Sequence, residues 1–211
     1  MIKTQDFEEH TAEYEQWFQQ YKEVFESEVE AIREMLPPGD SHGIEIGLGT
    51  GQFTLALGIK EGIEPAENMR KIAFERGIDV MDGTAENLPY KDMHFDFVLM
   101  ASCISYFTNV KQALREARRV LKSGGSLIIG FIEKNSPIGK MYEEKRQTSV
   151  FYKQATFYTV ENLIAELKSA GFTKLEFRQT LFENLDKIKK FEASKLNYGE
   201  GSFVVIKAIK K

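Results

Sequence analysis

GIEIGLGTGQF, Gly43 to Phe53, is the stretch from which the fold of this chain can be read. The apolar alternation Ile44–Ile46 predicts a strand, and Gly47, Gly49 and Gly51 follow it at every second position. Glycine adopts positive φ and carries no Cβ to hold a ligand away. A helix starting just beyond such a turn presents free N–H donors. The turn is therefore either a bare strand-to-helix connection or a cradle for a small ligand. A dinucleotide fingerprint needs G-x-G-x-x-G. Here the third glycine comes one residue early, with Gln52 in the expected place, and the turn holds no lysine for a Walker loop.

Outward from this turn, strands and helices alternate. Strands are predicted at Gly43–Ile46, Ile59–Glu64, Ile78–Met81, Phe95–Ala101, Leu127–Ile132, Leu175–Gln179 and Phe203–Ala208. Helices are predicted at Thr50–Leu57, Ala66–Arg76, Val110–Leu121 (ended by Ser123-Gly124-Gly125) and Val160–Ala170. Phe95–Ala101, FDFVLMA, is apolar enough to be buried on both faces. The alternation predicts a parallel, doubly wound α/β sheet, which binds ligands beyond the carboxyl ends of its strands. Ahead of it, Asp6 to Leu36 has helical periodicity with an aromatic face and a glutamate-rich face, and Pro37-Pro38-Gly39 ends it. The glutamates from Glu8 to Glu34 read as a solvated face.

Two further features extend the cradle reading. Glu64 closes the second strand, where a carboxylate accepts from both hydroxyls of a ribose and disfavours a 2′-phosphate. The polar loop Gly83-Thr84-Ala85-Glu86-Asn87-Leu88-Pro89 follows the third strand, in reach of an adenine edge.

The stretches EIGLGTG, GIEPAENM, GTAENLPYKDMHFDFV and ALREARRVLKSGGSLIIG, in order from Gly43 to Phe131, resemble the class I S-adenosylmethionine-dependent methyltransferases. The nearest branch is type 11, which includes quinone-biosynthesis-like enzymes. YEQWF, Tyr14–Phe18, resembles the aromatic segment that covers the cofactor there. KMYEEKRQTSVFYKQATFYTVENL and YGEGSFVVI resemble a small bacterial and archaeal set, some of which carry a provisional histamine N-methyltransferase label. The resemblance implies a Rossmann-like, mostly parallel seven-stranded sheet with helices on both faces and an N-terminal helical lid. It implies S-adenosylmethionine as cofactor, framed by Glu45, Gly47, Gly49 and Gly51, with Glu64 on the ribose and Pro65 and Met69 flanking the adenine. Gly83, Thr84, Ala85 and Glu86 would line the adenine side, Ala101 and Ser102 would sit near the sulfonium, and Tyr14 would cover it. The branch often has Asp at the place of Thr84, and Asp82 or Glu86 stands near enough to substitute.

Composition removes other classes. A net charge of −4 with scattered basic residues gives no footprint for nucleic acid or an anionic membrane. The single cysteine, Cys103, excludes an internal disulfide and a thiolate metal cluster. Met100-Ala101-Ser102-Cys103 is not the Pro-Pro-aromatic run of nucleic-acid amino methylation. Ser102–Thr108 offers no carboxylate cluster for a metal-dependent enzyme. MIKTQDFEEH has no apolar signal core and no run approaches a membrane span, so a cytoplasmic single domain is expected, as monomer or homodimer. Its parts are a helical cap at 1–38, a cofactor-binding core at 39–132, an insertion or lid at 133–158, and a C-terminal helix and strands at 159–211.

Candidate catalytic groups are few: His10 and Tyr14 in the cap and Cys103 after the fourth strand, with packing as the alternative role of each. The long insertion combines Tyr142, Tyr152 and other aromatics with Lys140, Lys145 and Arg146. With Tyr106, the aromatics Tyr142 and Tyr152 can enclose a small acceptor or a cationic amine, and Lys145 or Arg146 a carboxylate. Methyl transfer to a small molecule is the predicted activity. A non-catalytic S-adenosylmethionine-binding module and a nicotinamide-dependent oxidoreductase are the rivals.

Overall fold

In a computed structural model that describes residues 5–211, the aromatic N-terminal stretch forms α1 (Gln5–Glu9), α2 (Thr11–Gln20) and α3 (Lys22–Arg33). The first four residues of MIKTQDFEEH, and of the cap, lie outside the described residues. The single helix expected over Asp6 to Leu36 is thus three, broken at His10 (φ −121°, ψ 32°) and Tyr21 (φ −117°, ψ 45°). Hydrogen bonds bridge both breaks, Tyr14 N to His10 O at 3.1 Å and Phe25 N to Tyr21 O at 3.0 Å, so the chain turns without unwinding. A straight helix of that length would run about 45 Å, past the edge of the sheet. In three pieces, it lays α3 on one face of the sheet while α1 and α2 reach the turns beyond the strand ends.

The alternation then follows: β1 (Gly43–Ile46), α4 (Gln52–Leu57), β2 (Glu61–Ile63), α5 (Glu67–Glu75), β3 (Asp79–Met81), β4 (Phe95–Ala101), α6 (Val110–Val120) and β5 (Leu121–Ile132). Next come α7 (Pro137–Glu144), α8 (Val160–Ser169), β6 (Phe172–Thr180), β7 (Lys195–Leu196) and β8 (Phe203–Lys210). The sheet order is β3-β2-β1-β4-β5-β8-β6-β7. Neighbours from β3 to β5 are parallel, and β8 runs antiparallel between β5 and β6. The sheet has eight strands rather than seven because β7, two residues long, pairs with the edge strand β6. Ser123-Gly124-Gly125 does not separate helix from strand. β5 starts at Leu121 directly after α6, and the glycines sit in a bulge between the pairs Phe95–Leu121 and Phe97–Ser126.

Period-two patterning splits the core in two. Val98 and Met100 of β4 pack with Ile44, Leu114, Leu127 and Leu163 on the face covered by α6 and α8. Phe97, Leu99 and Ala101 pack with Ile32, Ile128, Phe203 and Val205 on the face covered by α3. A strand flanked on both faces has no solvated side, which is why FDFVLMA is nearly uninterrupted. The strand order reverses between β1 and β4, and the loops leaving these strands open a crevice there.

Gly62 lies in β2 against Glu45 of β1, where a Cβ would overlap the Glu45 carbonyl oxygen and reach Leu48 Cδ2 at 2.8 Å. Backbone cannot yield as a side-chain tip does. Gly62→Ala is expected to destabilise the fold by about 1–3 kcal/mol. Thermal unfolding followed by circular dichroism should show a Tm lower by roughly 2–4 °C per kcal/mol.

Candidate functional site

The three glycines after β1 all adopt left-handed backbone, with φ of 67° at Gly47, 59° at Gly49 and 84° at Gly51. Side chains at these positions would be strained and would also collide. A Cβ on Gly47 would stand 3.0 Å from Cys103 Cβ, and one on Gly49 2.7 Å from Tyr14 Oη. One on Gly51 would overlap Ile78. The turn therefore presses on the end of β4, on the cap and on the core beneath α5.

Glu64 joins this turn to the next. Its Oε2 accepts from Gly49 N and its Oε1 from Ala66 N, both at 2.8 Å. Burial raises its pKa to about 7, against the pull of those two amides and of the Arg70 guanidinium. Glu45, one strand away, is buried and accepts from Thr54 Oγ1 at 2.5 Å. Burial, opposed by Thr54 and reinforced by Glu64, raises its pKa to about 8.

Beyond the strand ends lies a cavity of about 410 Å³. Gly47, Gly49, Glu64, Pro65 and Met69 line one side of it, with Gly83, Thr84, Ala85 and Glu86 adjoining and Ala101, Ser102 and Cys103 at the end of β4. Tyr14, Tyr106, Tyr142 and Tyr152 line it as well. Ser102 adopts φ 55°, strained for a residue with a Cβ, and its N–H is held by Gly130 O at 2.8 Å. The remaining predicted residues are not on the wall. Glu45 turns to Thr54, and Gly51 faces Ile78. His10 pairs with Glu13 at 3.2 Å between α1 and α2, and Arg146 is exposed. Of the two stand-ins for the missing Asp at position 84, Asp82 is exposed and pairs with Arg70 at 3.3 Å. Glu86 clasps the start of α6, accepting from Thr108 N at 2.8 Å, Thr108 Oγ1 at 2.9 Å and Asn109 N at 3.0 Å. Burial pushes its pKa up, but these donors outweigh it and hold the carboxyl below its usual value.

No general base stands ready on the wall among the described tyrosines and the cysteine. Burial, reinforced by the charges of Glu64 and Glu45, holds the Tyr14 phenol far above its ordinary range. Burial does the same for Tyr106, Tyr142 and Tyr152. Cys103 Sγ donates to Ile46 O at 3.0 Å, and burial together with Glu45 and Glu64 keeps it a thiol. Among the described residues no group of His, Cys, Asp and Glu side chains is placed to hold a metal ion.

The glutamate face of the N-terminal stretch is not uniformly solvated. Glu8 accepts from Glu67 N and, at 2.8 Å, from Asn68 N, so that α1 caps α5. Glu15 of α2 accepts from Thr50, Gln52 and Arg76 and fastens the cap to the glycine turn. Glu28 of α3 is 3 % exposed and lines the cavity. Its sequence signal is position: Val24, Glu28 and Ile32 follow at intervals of four, on one helical stripe. Phe7, Phe18, Phe151 and Phe157 also line the cavity. Phe7 stands 5.3 Å from Phe151, centroid to centroid, where the cap meets the segment after α7.

A methyltransferase domain family matches residues 44–129. A SAM-dependent methyltransferase from Thermotoga maritima, described as a possible histamine N-methyltransferase, is 44% identical, with a TM-score of 0.96 over 99% of this chain and 100% of that one. An uncharacterised protein of Methanocaldococcus jannaschii is 44% identical over 204 residues, 97% of this chain and 98% of its own. A demethylmenaquinone methyltransferase of Staphylococcus haemolyticus is 26% identical over 194 residues, 76% of this chain and 79% of its own. With a switch-point crevice, a glycine turn and a carboxylate closing β2, and with relatives of this likeness over its whole length, the chain belongs to the S-adenosylmethionine-dependent methyltransferases.

Proposed function

We propose that this enzyme transfers the methyl group to a small organic acceptor held in the same cavity as the cofactor, by in-line displacement. The observation that carries the reading is continuity. One cavity extends from Gly49 and Glu64 to Tyr106, Tyr142 and Tyr152, so cofactor and acceptor share a water-poor space. A regulatory module that only binds the cofactor needs no open aromatic half.

The residues fit S-adenosylmethionine. The cavity volume lies within the roughly 300–1,000 Å³ of small-molecule sites. The left-handed glycines keep Cβ atoms out of the place where the aminocarboxypropyl chain passes. Each Glu64 oxygen accepts one amide and has a second lone pair for a ribose hydroxyl. Pro65 and Met69 give apolar contact to the adenine, with Thr84 and Ala85 at its edge, and Ala101 and Ser102 leave room at the sulfur. When bound, the cofactor supplies a methyl group on cationic sulfur; an acceptor lone pair bonds to its carbon while the carbon–sulfur pair leaves to sulfur.

The protein's part is to orient and to exclude water. Tyr14, from the cap, closes on the glycine turn, and Phe7 against Phe151 seals the seam with the lid. Positioning of this kind contributes about 7–11 kcal/mol to a bimolecular step. The cap at 1–38, core at 39–132 and lid at 133–158 then act as one device, the outer two closing over the core.

Calorimetric titration tests the placement. The folded protein is expected to bind S-adenosylmethionine and S-adenosylhomocysteine and not NAD. Gly49→Val should lose that binding with its circular dichroism unchanged; retained affinity would put the cofactor elsewhere. The ionised form of Glu64 is the better acceptor for ribose hydroxyls. Affinity for S-adenosylhomocysteine should therefore rise between pH 6 and 8, as the carboxyl ionises through its raised pKa of about 7. Glu64→Gln should flatten that profile and weaken binding about ten- to a hundred-fold, the loss of hydrogen bonds to a charged acceptor.

A further inference from the structure

Three buried carboxylates stand near the strand ends, and two of them have donors. Glu45 has Thr54, and Glu64 has the amides of Gly49 and Ala66. Glu28 is 3 % exposed, lies on the cavity wall, and has no hydrogen bond or ion pair among the described residues. A buried, unpaired carboxylate is expensive, and native proteins keep few of them. Burial alone raises its pKa to about 8. Tyr142 and Tyr152 stand close enough to feel its charge, stacked on each other at 4.1 Å and 26°. Phe157 lies 6.1 Å from Tyr152, and Trp17 lines the same cavity. No lysine or arginine lines it among the described residues. Its charged side chains are Glu13, Glu28, Glu64 and Glu86. The basic residues expected to hold an acceptor carboxylate, Lys145 and Arg146, are exposed and off the wall.

We propose that Glu28, with Tyr142 and Tyr152 beside it and Phe157 and Trp17 on the same cavity wall, binds the protonated amine of a small organic methyl acceptor and takes one of its protons, which frees the nitrogen lone pair for the methyl group. The proposal rests on the methyl-transfer reading above. An ammonium group brings N–H donors and the opposite charge to a carboxylate that has neither. The aromatic faces attract the same cation and exclude water, which strengthens both effects. An alcohol offers the donor without the charge, and a carboxylic acid brings repulsion.

The test uses the full chain saturated with S-adenosylhomocysteine. Arylalkylamines from benzylamine to 4-phenylbutylamine are titrated beside the alcohol and the carboxylate of each length. At least one amine is expected to bind, at least tenfold more tightly than its alcohol. Glu28→Gln should erase that preference and leave S-adenosylhomocysteine affinity within twofold. Benzyltrimethylammonium, whose charge is fixed, checks the sign without relying on the variant's folding. Its affinity should climb from pH 6.5 to 9 as Glu28 ionises, while the phenols of Tyr142 and Tyr152, pushed up by burial, stay neutral. The proposal is overturned if no amine binds, if alcohols or carboxylates bind as well as amines, or if the quaternary probe shows no rise with pH. It is equally overturned if Glu28→Gln keeps the preference or weakens the cofactor instead, which would assign Glu28 to the cofactor. Failure of the wild-type protein to bind S-adenosylhomocysteine would be a separate result, removing the methyl-transfer reading itself.

Discussion

The carboxylate of Glu64 binds the turn after β1 to the turn after β2, through the amides of Gly49 and Ala66. Most of the crevice geometry follows from that pair of hydrogen bonds. Gly49 is fixed in a backbone state that side chains avoid, and the start of α5 is set beside it. Glu15 extends the tie outward by joining α2 to Thr50, Gln52 and Arg76. Glu8 joins α1 to the first amides of α5. The cofactor side of the crevice is thus organised before any ligand arrives, which reduces the ordering cost of binding.

The two halves of the cavity are built differently. Glu64 is held by two amides and Glu86 by two amides and a hydroxyl, so their positions are determined. Around Glu28 the carboxylate has no hydrogen bond or ion pair among the described residues, and Tyr142 and Tyr152 stand close enough to feel its charge. Ring contacts such as Phe7 to Tyr106 at 4.8 Å and Phe7 to Phe151 contribute about 0.5–1.5 kcal/mol each and tolerate sliding. On the proposed assignment, cofactor recognition is rigid, while acceptor recognition combines an adaptable apolar shell with one charge.

Where pattern and burial coincide, the sequence was sufficient. β1 and β4 match their predicted strands residue for residue, because both are buried on both faces and each carries only one charged residue, Glu45 and Asp96, inside its apolar run. The glycine turn was legible for a related reason, since only close approach explains so many residues without Cβ at one strand end. The breaks at His10 and Tyr21 were not legible. No proline or glycine marks them, and the helix bends there to follow a surface made by distant strands. β5 was read too short because its bulge carries the glycines that normally end helices. The inward glutamates were hidden by composition. In a stretch rich in Glu, those that serve as caps and ties look like their solvated neighbours. Only the spacing of Val24, Glu28 and Ile32 set one of them apart.

Charge balance connects the two halves of the cavity. S-adenosylmethionine carries one net positive charge, and on the proposed reading an amine acceptor brings a second into the same confined space. At an effective dielectric of about 20, two unit charges some 4 Å apart repel by about 4 kcal/mol. A wall whose charged side chains, among the described residues, are all acidic would offset that repulsion, with Glu64 assigned to one ligand and Glu28 to the other. The ammonium nitrogen passes one proton to Glu28, which later releases it to water, so transfer leaves sulfur neutral and the methylated nitrogen with a single positive charge. The cofactor product loses an attraction that its precursor had, while the acceptor product keeps its hold on Glu28. On that reading an acidic wall serves binding before transfer and loosens the spent cofactor after it.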